Sequence, residues 1–388
     1  MAHGTSLIRC VAVNATTIAY IACRCLTSRP RGVNGSVPRA ARRRGDPTIV
    51  TDHGPFDVVA LGESMVTFLP TRPGRLADVP SFDRGIGGAE SNVACALAAA
   101  GHRTRWVSRV GADGFGDHLV AAVASYGVDV SHVARDPGRP TGVYFRTAGD
   151  RATDAHEVAY YRAGSAASAM TPGNVDLTAV RHARILHLSG ITAALSDGCL
   201  ELVRELTAPR QGRPLVSFDV NHRPGLWRDT DGPALLRDLA RRADLVFVGE
   251  DEAWGLDGPR AVRAALPEPE VLVVKQGPAG ATAFHGPHAT SVPALDVDVV
   301  AEVGAGDAFA AGFLSATLRA LAVRDRLRHG HLWAAAALTA PGDLVAPPAR
   351  DHADRLAALD DQTWGRLRLG PGWTDDTRQP GEEEVPTP

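Results

Sequence analysis

Lysine is nearly absent from this 388-residue chain: Lys275 stands alone beside 40 arginines. That bias has the look of GC-rich coding rather than of function. With a net charge of -3 at pH 7, the chain offers no electrostatic footprint for nucleic acid. Cysteine is scarce too. Cys10, Cys23, Cys25, Cys95 and Cys199 have no metal-ligand spacing and form an odd set. This excludes a zinc module and a disulfide framework, and fits a reducing, cytoplasmic compartment. No uninterrupted apolar run is long enough to span a membrane, because Leu7 to Leu26 is broken by Arg9, Asn14 and Arg24. Internal repeats and low-complexity tracts are missing from the body of the chain.

What remains is the composition of a globular protein, 44% hydrophobic and 22% charged. The length suits one large α/β domain with additions. Residues 1–54, with the Arg42-Arg43-Arg44 cluster, read as an unstructured extension, and a start codon placed upstream of the true one accounts for them. Residues 361–388 read as a disordered tail, since Gly370 to Pro388 is rich in Pro, Gly, Asp and Glu. The folded body is then residues 55–360.

Within that body, β-type runs alternate with helical segments. Strands are expected at Phe56 to Leu61, Arg105 to Val110, Ile185 to Leu188, Leu215 to Phe218, Leu245 to Val248 and Val271 to Val274. Ala89 to Ala100, Asp117 to Ser125, Leu200 to Leu206, Leu235 to Arg242 and Arg260 to Leu266 have helical period. The βαβα order predicts a mainly parallel sheet with helices on both faces, and ligands beyond the carboxyl ends of its strands. Two stretches, within 63–86 and 140–163, break the rhythm with alternating patterns. They predict a small β-sheet, either a lid or an ordinary antiparallel extension.

The most informative segment is Gly304-Ala305-Gly306-Asp307. A strand-like run from Val297 to Val303 leads into it, and an Ala-rich helix follows. A helix N-terminus presents free N–H groups that hold phosphate, and glycine lets the backbone come close. A carboxylate among those amides repels phosphate unless it has chemistry to do. Asp307 is therefore either a base for a hydroxyl attacking a phosphoryl group or a simple N-cap. Gly85 to Asn92 opens the first helix, as a tight turn or as a place where Asn92 meets hydroxyls. Asp219, Asn221 and Arg223 end a buried strand, and Arg223 can give paired N–H bonds to an anion. Lys275 precedes the Gly277-Pro-Ala-Gly280 turn and suits a phosphate. Asp251 and Glu252 suit water around Mg²⁺ or a plain solvated loop. His187 and His222 lack ligand spacing and are assigned to packing.

Together, Gly87-Gly88-Ala-Glu-Ser-Asn92 and Val303-Gly-Ala-Gly-Asp307-Ala-Phe-Ala-Ala-Gly312 resemble the two signatures of the ribokinase-like (PfkB) carbohydrate kinases. The resemblance spans about Phe56 to Leu359. It implies a three-layer α/β/α fold with a small β-sheet lid, and ATP with Mg²⁺ as phosphoryl donor. By resemblance Asp307 is the base, and Gly304, Ala305 and Gly306 supply the anion hole. Tyr160-Tyr161-Arg162, Leu188 to Ser196 and Asp219 to Trp227 look most like 2-keto-3-deoxygluconate kinases. That likeness implies a sugar site of Gly88, Asn92, Tyr144, Tyr160, Arg162, Ile191, Asp307 and Asp343. It places Asn221, Arg223, Lys275, Gly277, Gly280, Gly304 and Gly306 at the nucleotide and Glu252 at the metal. One position departs: Gly249 stands where many members have the Asn of Asn-x-x-Glu. Arg162 offers a bidentate partner to a sugar acid's carboxylate that a neutral sugar does not need. A fructokinase or other neutral ketose kinase, and a non-catalytic sugar- or nucleotide-binding protein, are the alternatives. No nucleic acid or membrane partner is expected, and a homodimer through the lid is.

Overall fold

Neighbouring residues along the central strands enter different cores. Val59, Val246 and Leu272 pack with the helices Asp197–Thr207, Gly232–Arg241 and Gly258–Ala265. Val58, Leu245 and Val271, one residue away, pack with Ala305–Leu318 and Val323–Leu338 on the other face. The two-residue period of a strand places adjacent side chains on opposite faces. A continuous apolar run therefore becomes a strand buried on both sides, and the result is a three-layer α/β/α arrangement.

The computed structural model describes residues 54–147, 157–227, 231–342 and 344–375. Its strands are β1 (Phe56–Leu61), β2 (Met65–Pro70), β3 (Phe82–Gly87), β4 (Thr104–Gly111), β5 (Val133–Asp136), β6 (Val143–Arg146), β7 (Val158–Tyr161) and β8 (Ala183–Ser189). They continue with β9 (Leu215–Asp219), β10 (Leu245–Gly249), β11 (Val271–Lys275), β12 (Ala281–His285), β13 (His288–Val292), β14 (Asp296–Val297) and β15 (Arg368–Leu369). The main sheet has the order β13-β12-β11-β10-β9-β8-β1-β4-β5. It is parallel from β11 to β5, and the β11-β12-β13 meander adds an antiparallel edge. A separate sheet of order β3-β2-β6-β7 is the small second sheet expected from the two alternating stretches. It is mixed rather than purely antiparallel, because β2 and β6 run parallel.

Two expectations need correction. Of the run 297–303 only Val297 is strand, as the second residue of Asp296–Val297. Beyond it, Val300 and Ala301 donate their N–H groups to the Leu338 carbonyl at 2.7 and 3.2 Å, so a helix end takes the bonds a strand partner would have taken. Residues 361–375, assigned to a disordered tail, form a short helix, β15 and a 3₁₀ turn. Two tryptophans explain it. Trp364 and Trp373 are only 1% and 8% exposed, and their indole N–H groups reach the Pro293 carbonyl (3.0 Å) and Thr339 Oγ1 (3.2 Å). Burying two indoles outweighs the polar composition around them. The expected extension 1–53 and tail 376–388 lie outside the described residues.

Candidate active site

The parallel strands bring their carboxyl ends to one edge. Ser189 ends β8, Asp219 β9, Gly249 β10 and Lys275 β11, and the registers pair Ser189 with Asp219 and Gly249 with Lys275. The helix Ala305–Leu318 begins beside that edge. Its N-cap, Gly304, has φ of 83°, a left-handed conformation that a side chain would strain. The first helical bond joins the Ala308 N–H to the Gly304 carbonyl (2.9 Å). Within the helix this leaves the amides of Ala305, Gly306 and Asp307 for another acceptor. A Cβ on Gly306 would lie 3.7 Å from Lys275 Nζ, so the lysine stands over the opening of the helix.

Asp307 is half-buried here. Its Oδ2 accepts from Asn92 Nδ2 at 2.8 Å, and Asn92 Oδ1 accepts from the Gly88 N–H at 3.4 Å. Burial pushes the Asp307 carboxyl up to about 7, further raised by Asp219 and Glu90 and opposed by the Asn92 bond and by Lys275. The N-cap alternative for Asp307 fails on position, since Gly304 occupies the cap. Asn92, expected to meet sugar hydroxyls, bonds this acid.

Next to this pair, Lys275 Nζ bonds both oxygens of Asp219 at 2.9 and 3.2 Å. Burial alone would lower the lysine pKa, but Asp219 and Glu252 more than offset it and the net shift is upward. Glu252 accepts from Arg223 Nη1 (3.1 Å) and from the Gly249 N–H (3.2 Å). Its carboxyl is raised by burial and by the nearby Asp219. Glu252 is thus a bonded, half-buried acid rather than part of a solvated loop. Asn221, just past β9, is buried with φ of 39°, backbone strain of a kind that collects at functional sites. Gly277 and Gly280 enter through the turn that follows Lys275.

At the second sheet, Tyr144 of β6 pairs with Tyr160 of β7, their rings 5.3 Å apart. Arg162 follows β7, with its guanidinium 5.9 Å from the centre of the Tyr160 ring, and forms an ion pair with Glu63. The fully buried Glu90 accepts from Ser189 Oγ (2.7 Å) and Thr192 Oγ1 (2.6 Å), next to Ile191. Burial raises its carboxyl, and the hydroxyl bonds and Arg162 pull against that rise. Arg162 lies near enough to Glu90, and Glu90 to Asp307, for their charges to interact, so the lid arginine and the helix N-terminus flank the same buried acid. Asp343 lies outside the described residues. Sequence reasoning gave Glu63 and Glu90 no role, and named Asp219 only as one of the polar groups ending a buried strand. The signal for Asp219 was its position at the end of a buried strand, and for Glu90 an acid inside an otherwise small-residue turn. Glu63 follows β1 with nothing in the sequence to mark its distant partner.

The geometry agrees with what the chain resembles. Residues 56–350 match the pfkB family carbohydrate kinase pattern. A 2-dehydro-3-deoxygluconokinase of Bacillus subtilis (strain 168) is 35% identical over 305 residues, 76% of this chain and 94% of that one. A probable chloroplastic fructokinase-6 of Arabidopsis thaliana is 30% identical over 348 residues, 85% of this chain and 90% of its own. Among solved structures, a PfkB protein from Polaromonas sp. JS666 shares 36% identity at a TM-score of 0.67, covering 73% of this chain and 95% of that one. With both signatures at the carboxyl edge of the sheet and the match running through the whole main sheet, this chain belongs to the pfkB family of carbohydrate kinases, enzymes that transfer phosphate to sugars.

Proposed function

We propose that the chain phosphorylates the primary hydroxyl of 2-keto-3-deoxygluconate, with ATP as donor. The observation that carries this is Asp307, a carboxylate with a pKa of about 7 beside the open amides of a helix and the chain's one lysine. A base works best when its pKa lies near the working pH. The hydroxyl proton passes to Asp307 as the sugar oxygen bonds the γ-phosphorus and the bond to ADP breaks. The Ala305 and Gly306 amides face the charge that develops, with Gly304 holding the turn. Lys275 and Arg223 are placed to meet the phosphates, and the Asn221, Gly277 and Gly280 turns suit the rest of the nucleotide.

The donor chemistry fits a hydrated Mg²⁺. Glu252 and Asp219 lie close enough to raise the Glu252 pKa, a repulsion that a divalent cation reverses. Among the described residues no cluster of three or more metal-ligating side chains occurs. That suits an ion held by one or two carboxylates, water and phosphates. Held there by Glu252, the ion would supply neutralisation of the phosphate charge.

For the sugar acid, Arg162 on the lid supplies the carboxylate partner, with Tyr144, Tyr160, Gly88 and Ile191 around it. Fructose has no carboxylate for that arginine, which favours the sugar acid over the neutral-ketose alternative. A homodimer through the lid draws support from Tyr160 and Tyr161, 55% and 66% exposed on β7. A cytoplasmic location belongs to the same reading.

An ADP-coupled assay over a panel of sugars and sugar acids tests the substrate. Removing a hydrogen bond to a charged group costs about 1.5–3 kcal/mol, so Arg162→Ala lowers kcat/KM for the acid by roughly 10- to 150-fold. Slow turnover of fructose changes much less. Equal losses on both substrates would limit Arg162 to supporting the lid, and a wild-type preference for fructose overturns the substrate while leaving the kinase intact.

A further inference from the structure

The second sheet is joined to the main one by four passages of chain, and they converge on one acid. Glu63 sits between β1 and β2, where the chain leaves the main sheet, and is 2% exposed. Its Oε1 accepts from the hydroxyl of Ser165 on the return passage. A Cβ on Gly142, on another passage, would lie 3.0 Å from that same oxygen. A Cβ on Gly88, on the fourth, would lie 2.4 Å from the Glu63 carbonyl oxygen. A side chain at Gly88 would collide with the Glu63 backbone, and one at Gly142 would crowd its carboxylate, so the acid sits in a tightly packed place.

The other oxygen, Oε2, faces Arg162 Nη2. Arg162 is therefore already paired in the protein as it stands. Yet a guanidinium carries five N–H donors, more than one carboxylate oxygen can use. The Arg162 Nε–H is sealed from solvent and has no acceptor among the described residues. Its side chain is 12% exposed against 1% for Glu63, so the arginine, not the acid, faces the open side of the lid.

We propose that Glu63 is a positioning residue that sets substrate specificity: it shares the Arg162 guanidinium with the carboxylate of a bound sugar acid, and its charge limits how tightly that carboxylate is held. The proposal rests on the sugar-acid reading above. A buried arginine without a fixed partner is costly, and Glu63 supplies that partner when no substrate is present. The incoming carboxylate then meets a cation already half neutralised, with a second carboxylate on the same guanidinium. Two like charges a few ångströms apart repel even with strong screening. Glu63 orients the arginine and at the same time weakens its grip, so a sugar acid is recognised without being trapped as product.

The test is Glu63→Gln, which keeps the size and an oxygen acceptor but removes the charge. KM for 2-keto-3-deoxygluconate and for fructose is measured at saturating ATP. The acid's KM should fall roughly ten-fold, from the loss of one like-charge interaction at close range. Fructose KM and the kcat for both substrates should change far less. Parallel changes on the two substrates, no change, or a rise in the acid's KM overturn the proposal, because a purely structural Glu63 makes no distinction between them. Should the variant not fold, a structure of the wild-type protein with the sugar acid alone reads the same point. Arg162 bridging Glu63 and the substrate carboxylate supports it, and Glu63 separated from Arg162 overturns it. A wild type that takes the acid while Glu63→Gln leaves the ratio unchanged refutes this proposal alone. A wild type that prefers fructose refutes the sugar-acid reading and this proposal together.

Discussion

Replacing Asn92 by alanine should move the pH at which the enzyme switches on. Asp307 acts as a base only when ionised, and its pKa of about 7 already includes the favourable bond from Asn92 Nδ2 at 2.8 Å. That bond stabilises the anion more than the neutral acid, whose carbonyl oxygen is a weaker acceptor. A hydrogen bond to a charged group contributes about 1.5–3 kcal/mol, and one pKa unit is about 1.4 kcal/mol, so its loss raises the carboxyl by about 1–2 units. Water entering the space left by the amide brings the shift toward the lower figure. The acid limb of kcat/KM should then move from near 7 to about 8–9. At neutral pH the ionised fraction drops from about half to a tenth or less, and activity with it. At alkaline pH much of it returns. The assay is a coupled phosphorylation profile from mildly acid to alkaline buffer for both proteins, each checked for folding. A lowered plateau with an unmoved limb would refute the argument, since Asn92 would then act on the sugar and not through Asp307.

Asp307→Asn should lose about 10²–10⁴-fold or more in turnover while still binding ATP. Because burial raises the Asp307 pKa in the fold, its contribution to stability is intact below the unfolded value of 3.8 and is lost as pH rises through about 7. The neutral Asn escapes that loss, so above pH 7 the variant should melt higher than wild type, by an amount equivalent to about 2–4 kcal/mol. Melting temperatures that track each other from acid to alkaline pH would contradict this. At the far end of the chain, Trp373→Ala should cost about 3–5 kcal/mol in denaturant unfolding, as befits a buried indole. A change below about 1 kcal/mol would mean that the turn at 373–375 packs only weakly.

The sequence made the layers legible because central parallel strands are buried on both faces. Val271 to Val274 has no polar face to confuse with anything else, and Phe56 to Leu61 begins and ends where the pattern says. The glycine-rich turn at Gly304 was equally open, since only glycine takes that backbone cheaply. Pairings between distant acids and bases were not. Glu63 and Arg162 are 99 positions apart, and Asn92 and Asp307 are joined by a bond across 215. Nothing local encodes either. The tail was misjudged for a related reason. Composition near Gly370 is that of a disordered segment, but Trp364 and Trp373 find their partners, Pro293 and Thr339, on elements laid down earlier in the chain. Local polarity sets the prior, and long-range burial of two large side chains overrides it.

The pairing of charges also favours Asp307, among five acids, as the proposed base. Asp219 is bonded to Lys275, Glu252 to Arg223 and Glu63 to Arg162, so each of these three is held by a cation. Asp307 and Glu90 differ, because among the described residues their side-chain hydrogen bonds come from neutral donors: Asn92 for one, Ser189 and Thr192 for the other. Burial raises both carboxyls against these neutral donors, as it also raises Glu252 in spite of its ion pair. What separates the two is access. Glu90 is fully buried beneath Gly62, where a Cβ would strike its carboxyl at 2.1 Å, so no substrate can exchange a proton with it. Asp307 keeps part of its surface at the mouth of the helix, next to the amides that would hold the transferring phosphoryl group. A proton acceptor must be reachable and not tied to a cation; Glu252 is raised too but is paired with Arg223, which leaves Asp307 as the acid that fits the proposed role.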